Sequence, residues 1–302
     1  MKTTISPRQV ARAIGVGEST LKRWCDRGLI PMLKTAGGHR RLAVSDVIAF
    51  LRESGREVAH PELLGLPAAV GRTRWTLDRA REQFLQSLIK GHREVANEVI
   101  TDLLVAGHTI PAVFDSVIAA AFHELGKRWA CGDIAVYEER RACEICMSVL
   151  RELRPRLQES RQSRTQTAIA ATLEHDIYTL PVTMVELVLA DAGWNATSLG
   201  SNLPVETLVE ATNKISPALF CLSVSHIEDQ GEFLAQLKEL SDAARLNNCR
   251  LMVGGQAVTS QEIDSFSNIE HCQSFGKLAE ALRSPELVES EPSLSTPQNV
   301  AN

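Results

Sequence analysis

From Ala168 onward, short runs of β-forming apolar residues alternate with amphipathic helical segments. The runs are Ala168–Leu173, Trp194–Leu199, Leu219–Val224 and Arg250–Val253, with a fifth expected near Cys272–Phe275. Helical patterns fall between them, over Val182–Ala192, Val205–Asn213 and Gly231–Leu246. Strands that alternate with helices cannot pair as hairpins. They must lie parallel, with the helices covering both faces of an open sheet, and ligands of such folds bind beyond the carboxyl ends of the strands. Residues 165–283 are therefore expected to form an α/β domain.

The stretch before it has a different period. Apolar residues recur at helical spacing over Leu77–Lys90, Arg93–Ala106, Ile110–Arg128 and Ala135–Leu157, with breaks at Gly91, Gly107 and Gly132. Four amphipathic helices joined by short turns predict an antiparallel four-helix bundle over residues 75–160. Cys143 and Cys146 form a C-x-x-C, but they sit mid-helix without a second ligand pair, so small core residues are expected rather than a zinc or redox site.

The first sixty residues carry eleven Lys/Arg against five Asp/Glu, a net of +6. The whole chain of 302 residues is at −5, which leaves −11 for the remainder. A basic head on an acidic body implies that the head meets a polyanion. Ser6 before Pro7 marks a helix start, and Val10, Ala11 and Ile14 give it an apolar stripe. After the turn Gly15-Val16-Gly17, residues 18–27 predict a second helix ended by Gly28. Leu21 and Trp24 face inward in this helix-turn-helix, leaving Ser19, Thr20, Lys22 and Arg23 to contact bases and phosphates. The string Gly37-Gly38-His39-Arg40-Arg41 predicts a hairpin wing, with His39, Arg40 and Arg41 as further DNA contacts. Ser45 is expected to cap a closing helix, Asp46–Arg52. Residues 55–74, with Gly55, Pro61, Gly65, Pro67 and Gly71, are expected to be a linker. The Ser-, Pro- and Glu-rich segment 284–302 is expected to be disordered.

No apolar run of about eighteen residues is present to span a bilayer, and the start MKTTISPRQV lacks a secretory signal. Seven scattered cysteines suit reduced thiols. A cytoplasmic protein without membrane partners is expected.

The order helix, turn, helix, wing, helix over residues 1–54, with GGHRR in the wing, resembles the DNA-binding head of the MerR family of transcription regulators. That resemblance implies a homodimer or higher oligomer on a pseudo-palindromic double-stranded operator, and phosphate contacts from Arg40 and Arg41. Further strings resemble the cobalamin-binding domain of methionine synthase, of corrinoid proteins and of the light-responsive MerR regulators of the CarH and LitR kind. They are Ala192-Gly193-Trp194, Leu199-Gly200-Ser201-Asn202-Leu203-Pro204, Ser223-Val224-Ser225 and Val253-Gly254-Gly255-Gln256-Ala257-Val258. The resemblance implies a Rossmann-like (flavodoxin-like) domain and a bundle that together enclose adenosylcobalamin, making the body a sensor and the chain no enzyme.

Two cofactor-facing motifs of that family are altered. Asp (or Glu)-x-His-x-x-Gly falls on Asp176-Ile177-Tyr178-Thr179-Leu180-Pro181, so Asp176 is kept while Tyr178 stands at the cobalt-ligand position and Pro181 replaces glycine. The Trp-x9-Glu-His signature keeps Trp129 and Glu139 but has Arg140 in place of histidine, with Ala130 where some light-sensing members have a second one. The resemblance thus implies Trp129, Glu139, Asp176, Tyr178, Ser223, Ser225, Gly254 and Gly255 as cofactor contacts if cobalamin is kept, with no assured metal ligand. The expected function is a DNA-binding regulator, a repressor of light- or stress-response genes, whose body has drifted toward control by a protein partner such as a photoreceptor or antirepressor. The alternative is an adenosylcobalamin-dependent photoreceptor regulator using an altered lower ligand.

Overall fold

The computed structural model describes residues 4–34, 38–54, 56, 58–66, 76–158 and 166–283. A short strand β1 (Thr4–Ile5) leads into α1 (Pro7–Ile14) and α2 (Glu18–Asp26). Ser6 caps α1 reciprocally: its hydroxyl accepts from the Gln9 amide, and the Gln9 side chain accepts from the Ser6 amide. Gly15, at φ 74°, ends α1 in the left-handed conformation, so that α2 begins after only three residues. Strands β2 (Leu33–Lys34) and β3 (Arg40–Ala43) pair antiparallel, and β1 pairs with the other edge of β3. Helix α3 (Val44–Ser54) closes the head. β1 was not expected, because two residues are too few to show a period. Ser45 is not a cap: α3 begins at Val44, and Ser45 is buried with its hydroxyl unpartnered among the described residues.

The expected linker also needs correcting. The backbone amides of Ala59 and His60 both donate to the Ala13 carbonyl, and Pro61–Leu64 makes a 3₁₀ turn. Val58, Leu64 and Leu66 are buried in the head's core. Pro61 and Gly65 shape a turn that the head packs against, so chain continuous with the head extends to residue 66. Residues 55, 57 and 67–74 of that segment, the hairpin tip (35–37) and residues 284–302 lie outside the described residues.

The helical middle consists of α4 (Leu77–Lys90), α5 (Arg93–Val105), a long helix, and α8 (Val136–Gln158). The long helix runs from α6 (Ile110–Val113) through one π-helical turn (Phe114–Ala119) into α7 (Ala120–Ala130). Phe84, Leu88, Ile100, Leu103, Phe114 and Val149 are fully buried between these helices. Val105, at the end of α5, is buried in the head's core, so head and middle are packed together.

The last domain alternates β4 (Thr167–Leu173), α9 (Thr179–Asp191), β5 (Asn195–Leu203), α10 (Val205–Ile215), β6 (Leu219–Ser223), α11 (Gln230–Leu246), β7 (Arg250–Gly254), α12 (Ser260–Ile263), β8 (Ile269–Cys272) and α13 (Phe275–Ala281). All five strands are parallel, in the order β5-β4-β6-β7-β8. The connections run in opposite directions from β4, so a crevice opens beyond the ends of β4 and β6. The fifth strand lies earlier than expected. Ser274 accepts from the Lys277 amide and starts α13 at Phe275, which leaves Ile269–Cys272 as the strand.

Candidate functional site

Helix α2 buries Leu21 and Trp24 and turns Ser19, Lys22 and Arg23 to solvent, with Thr20 half-buried. The Trp24 ring is held from two sides, by Phe50 at 4.9 Å between centroids and by the Arg56 guanidinium 4.7 Å above it. His39 and Arg40 are exposed, and Arg41 is half-buried opposite Leu33. Burial pushes the Cys25 thiol up and Asp26 adds to it, while the charge of Arg40 acts against both.

A cleft of about 610 Å³ lies between the helical middle and the carboxyl ends of the strands. The helix running from α6 to α7 overhangs it with Asp115, Ile118, Ala119, Phe122, His123, Gly126, Trp129 and Ala130. These positions recur at three- and four-residue spacing, the signature of a single helical face. Glu139, Arg140 and Cys143 enter from α8, Met184 from α9, and Phe275 and Leu278 from α13; Cys221 and Met252 line it from the sheet.

Of the eight positions expected to contact a cofactor, Trp129, Glu139, Tyr178, Ser223, Ser225, Gly254 and Gly255 line this cleft. Trp129 is 51% exposed and Tyr178 47%, so both rings border open space. The Glu139 carboxylate accepts from the Cys143 thiol at 3.2 Å and pairs with Arg140 at 3.5 Å. Burial and that carboxylate push the Cys143 thiol up to about 12.

Asp176 is placed differently. It is 2% exposed and lies beside a small separate hollow with His175, Glu228 and Phe233. Its carboxylate accepts from the amides of Tyr178 (3.2 Å), Ser225 (2.6 Å) and His226 (3.4 Å). Burial raises its pKa, and those three donors partly hold it down. It ties the loop after β4 to the loop after β6 at the crevice. His175 does not turn toward the cleft. At φ 69° its amide donates to Asn202 (2.8 Å), while its ring nitrogen lies 3.1 Å from Glu228.

The two glycines at the end of β7 have a backbone explanation. A Cβ on Gly254 would lie 2.2 Å from the Cys272 carbonyl oxygen, and one on Gly255, at φ +132°, would lie 2.0 Å from that of Val224. Neighbouring chain already requires glycine at both. Pro181 has a local account as well. It stands in the first turn of α9, where an amide has no helical partner to lose.

Asp115 and His123 were not singled out from the sequence. Asp115 makes its contacts 160 residues away, with the amides of Phe275 and Gly276, and no local pattern encodes that. His123 had a legible signal, since it precedes Ala130 by two helical turns. No cluster of three or more His, Cys, Asp or Glu poised for a metal occurs among the described residues.

The chain matches three family models: a helix-turn-helix domain over residues 4–55, a B12 binding domain over 80–154 and a further B12 binding domain over 166–284. A segment that matches a helix-turn-helix domain thus precedes two that match B12 binding domains. Trimethylamine corrinoid protein of Methanosarcina barkeri is similar to the body, at 28% identity over 57% of this chain and 80% of that protein. HTH-type transcriptional repressor CarH of Myxococcus xanthus is similar along most of the chain, at 24% identity over 83% of it and 89% of the repressor. The monomethylamine corrinoid protein structure of Methanosarcina barkeri superposes with a TM-score of 0.58 at 15% identity, over 68% of this chain and 98% of that one, which establishes the fold of the body. CarA of Myxococcus xanthus, also named as an HTH-type transcriptional repressor, is similar at 24% identity over 78% of this chain and 82% of that protein. No helix among the described residues is long and apolar enough to cross a membrane.

Proposed function

We propose that this chain is a DNA-binding transcriptional repressor of the MerR type whose body binds a corrinoid, without the histidine that corrinoid domains place after their first strand. The cleft of about 610 Å³ between the helices and the strand ends carries this reading. Its apolar walls from α9 and α13 and its polar edge at Glu139, Arg140, Ser223 and Ser225 suit a flat macrocycle fringed with amides. The donor after β4 does not suit cobalt, because a neutral phenol is a poor ligand. The residues present therefore fit the body of the group and leave its metal to be held otherwise.

The wing and α2 would read the operator. Two heads are needed, since a pseudo-palindromic site is bound by a two-fold pair. Ligand in the cleft would favour the assembled state by binding it preferentially, worth about 2.7 kcal/mol at a hundred times the dissociation constant. Adenosylcobalamin would add a cobalt–carbon bond that light can break, which suits a repressor of light- or stress-response genes. Trp129, half-exposed over the cleft, would lie against the corrin, and Glu139 would be held in position by Arg140.

The test is to purify the full chain with adenosylcobalamin in the dark and pass it through gel filtration. Corrin absorbance that travels with the protein, and operator affinity that changes on illumination, are expected; free cobalamin eluting alone would overturn the ligand reading. A second reading then takes over, in which a photoreceptor or antirepressor protein controls the body. It is favoured by Tyr178 and Arg140 occupying both positions where the corrinoid motifs have histidine.

A further inference from the structure

We infer that His123 supplies an axial nitrogen to corrinoid cobalt from the helical side of the cleft, doing from α7 what no residue after β4 can do. This rests on the corrinoid reading above. Ala119, His123, Gly126 and Ala130 follow one another at four-, three- and four-residue steps and all line the cleft, so they form one line along the overhanging helix. On that line the imidazole is the one projecting group. Ala119 and Ala130 offer a methyl each, and a Cβ built on Gly126 would meet nothing within 4 Å. A flat ring could therefore approach the helix closely on either side of the imidazole.

The competing donors are engaged or unsuitable. His123 is the sole histidine lining the cleft among the described residues, and it is exposed, with no hydrogen bond or ion pair among them. Asp115 is occupied by the amides of Phe275 and Gly276, and Glu139 by Cys143 and Arg140. Burial keeps the thiols of Cys143, pushed up to about 12, and Cys272, pushed up to about 11, protonated near neutral pH. A neutral imidazole needs no such deprotonation. Its lone pair forms the bond to cobalt, the water previously on cobalt leaves to solvent, and no electron changes owner.

The experiment uses the full chain loaded with hydroxocobalamin, freed of excess by gel filtration and reduced to the cobalt(II) form, with electron paramagnetic resonance as the readout. An axial ¹⁴N splits the cobalt lines into triplets. Protein grown with ¹⁵N-histidine is expected to show doublets instead. His123→Ala is expected to retain corrin absorbance and lose that isotope response, while Tyr178→Phe keeps it. Triplets that persist in ¹⁵N-histidine protein would mean that the cofactor's own base holds the cobalt, and lines without nitrogen splitting would mean that no nitrogen does; either overturns the assignment to His123. Doublets surviving in His123→Ala would assign the ligand to another histidine. A protein that retains no corrinoid at all overturns the corrinoid reading itself, an outcome separable from the others by absorbance alone.

Discussion

The carboxylate of Asp115, in the π-helical turn of the overhanging helix, caps α13 across the cleft: its two oxygens accept from the amides of Phe275 at 2.9 Å and Gly276 at 2.8 Å. Phe114 meets the Phe275 ring edge-on beside it, at 5.6 Å between centroids. Since the first amides of a helix have no partner of their own, this carboxylate both satisfies them and joins helical middle to sheet domain. Asp115→Ala should therefore lower stability by about 1–2 kcal/mol, the cost of losing a helix cap. Asp115→Asn, which keeps one acceptor, should lie between. Urea unfolding of the three proteins would show it, and equal midpoints would remove Asp115 as a latch.

Asp176 gives a pH dependence of unusual sign. Burial raises its pKa in the fold despite the amides of Ser225, Tyr178 and His226. Between the unfolded and folded values the native state binds more protons, so the contribution of this group is largest below the unfolded value and is lost as pH rises through the folded one. Asp176→Asn cannot titrate. The stability of wild type relative to this variant should fall as pH rises through the range just above ordinary aspartate values. A relative stability that climbed with pH would show that the amides outweigh burial.

The layers of this chain were legible because each rests on a local period: alternating apolar runs for β4 to β7, helical spacing for α4 to α8, and the Ser6-Pro7 start with its glycine turn for the head. What escaped the sequence depends on tertiary partners. β1 exists only because β3 offers it an edge, and residues 58–66 fold against Ala13 although Pro61 and Gly65 read as linker. At the candidate site, seven of the eight expected contact positions line one cleft, yet Asp176 faces away and the two glycines answer to neighbouring backbone. A motif fixes where residues stand along the chain; whether a carboxylate turns to ligand or to loop amides is decided by packing.

The thiols should sort by burial. Cys131 is exposed at the end of α7, whereas Cys146 is fully buried and raised by it, and Cys143 is pushed up to about 12. Because the thiolate is the reactive form, iodoacetamide near pH 8 should modify Cys131 first and leave the C-x-x-C pair untouched until the fold opens. Mass spectrometry of a time course would decide. Early loss of the Cys143 or Cys146 peptides would revive a reactive or metal-binding role for them.

The head's contacts can be sorted by their response to salt. Arg23 projects from α2 and Arg40 from β3, both exposed. If Arg23 contacts a base edge, Arg23→Ala should cost about 1–3 kcal/mol in operator affinity and relax discrimination at one position. If Arg40 holds a phosphate, Arg40→Ala should weaken operator and unrelated DNA alike and reduce the slope of log affinity against log salt by about one. Fluorescence anisotropy with both DNAs over a series of salt concentrations separates the two roles. Neither helix nor hairpin could be the DNA-reading surface if both variants bound the operator as wild type does with an unchanged salt slope.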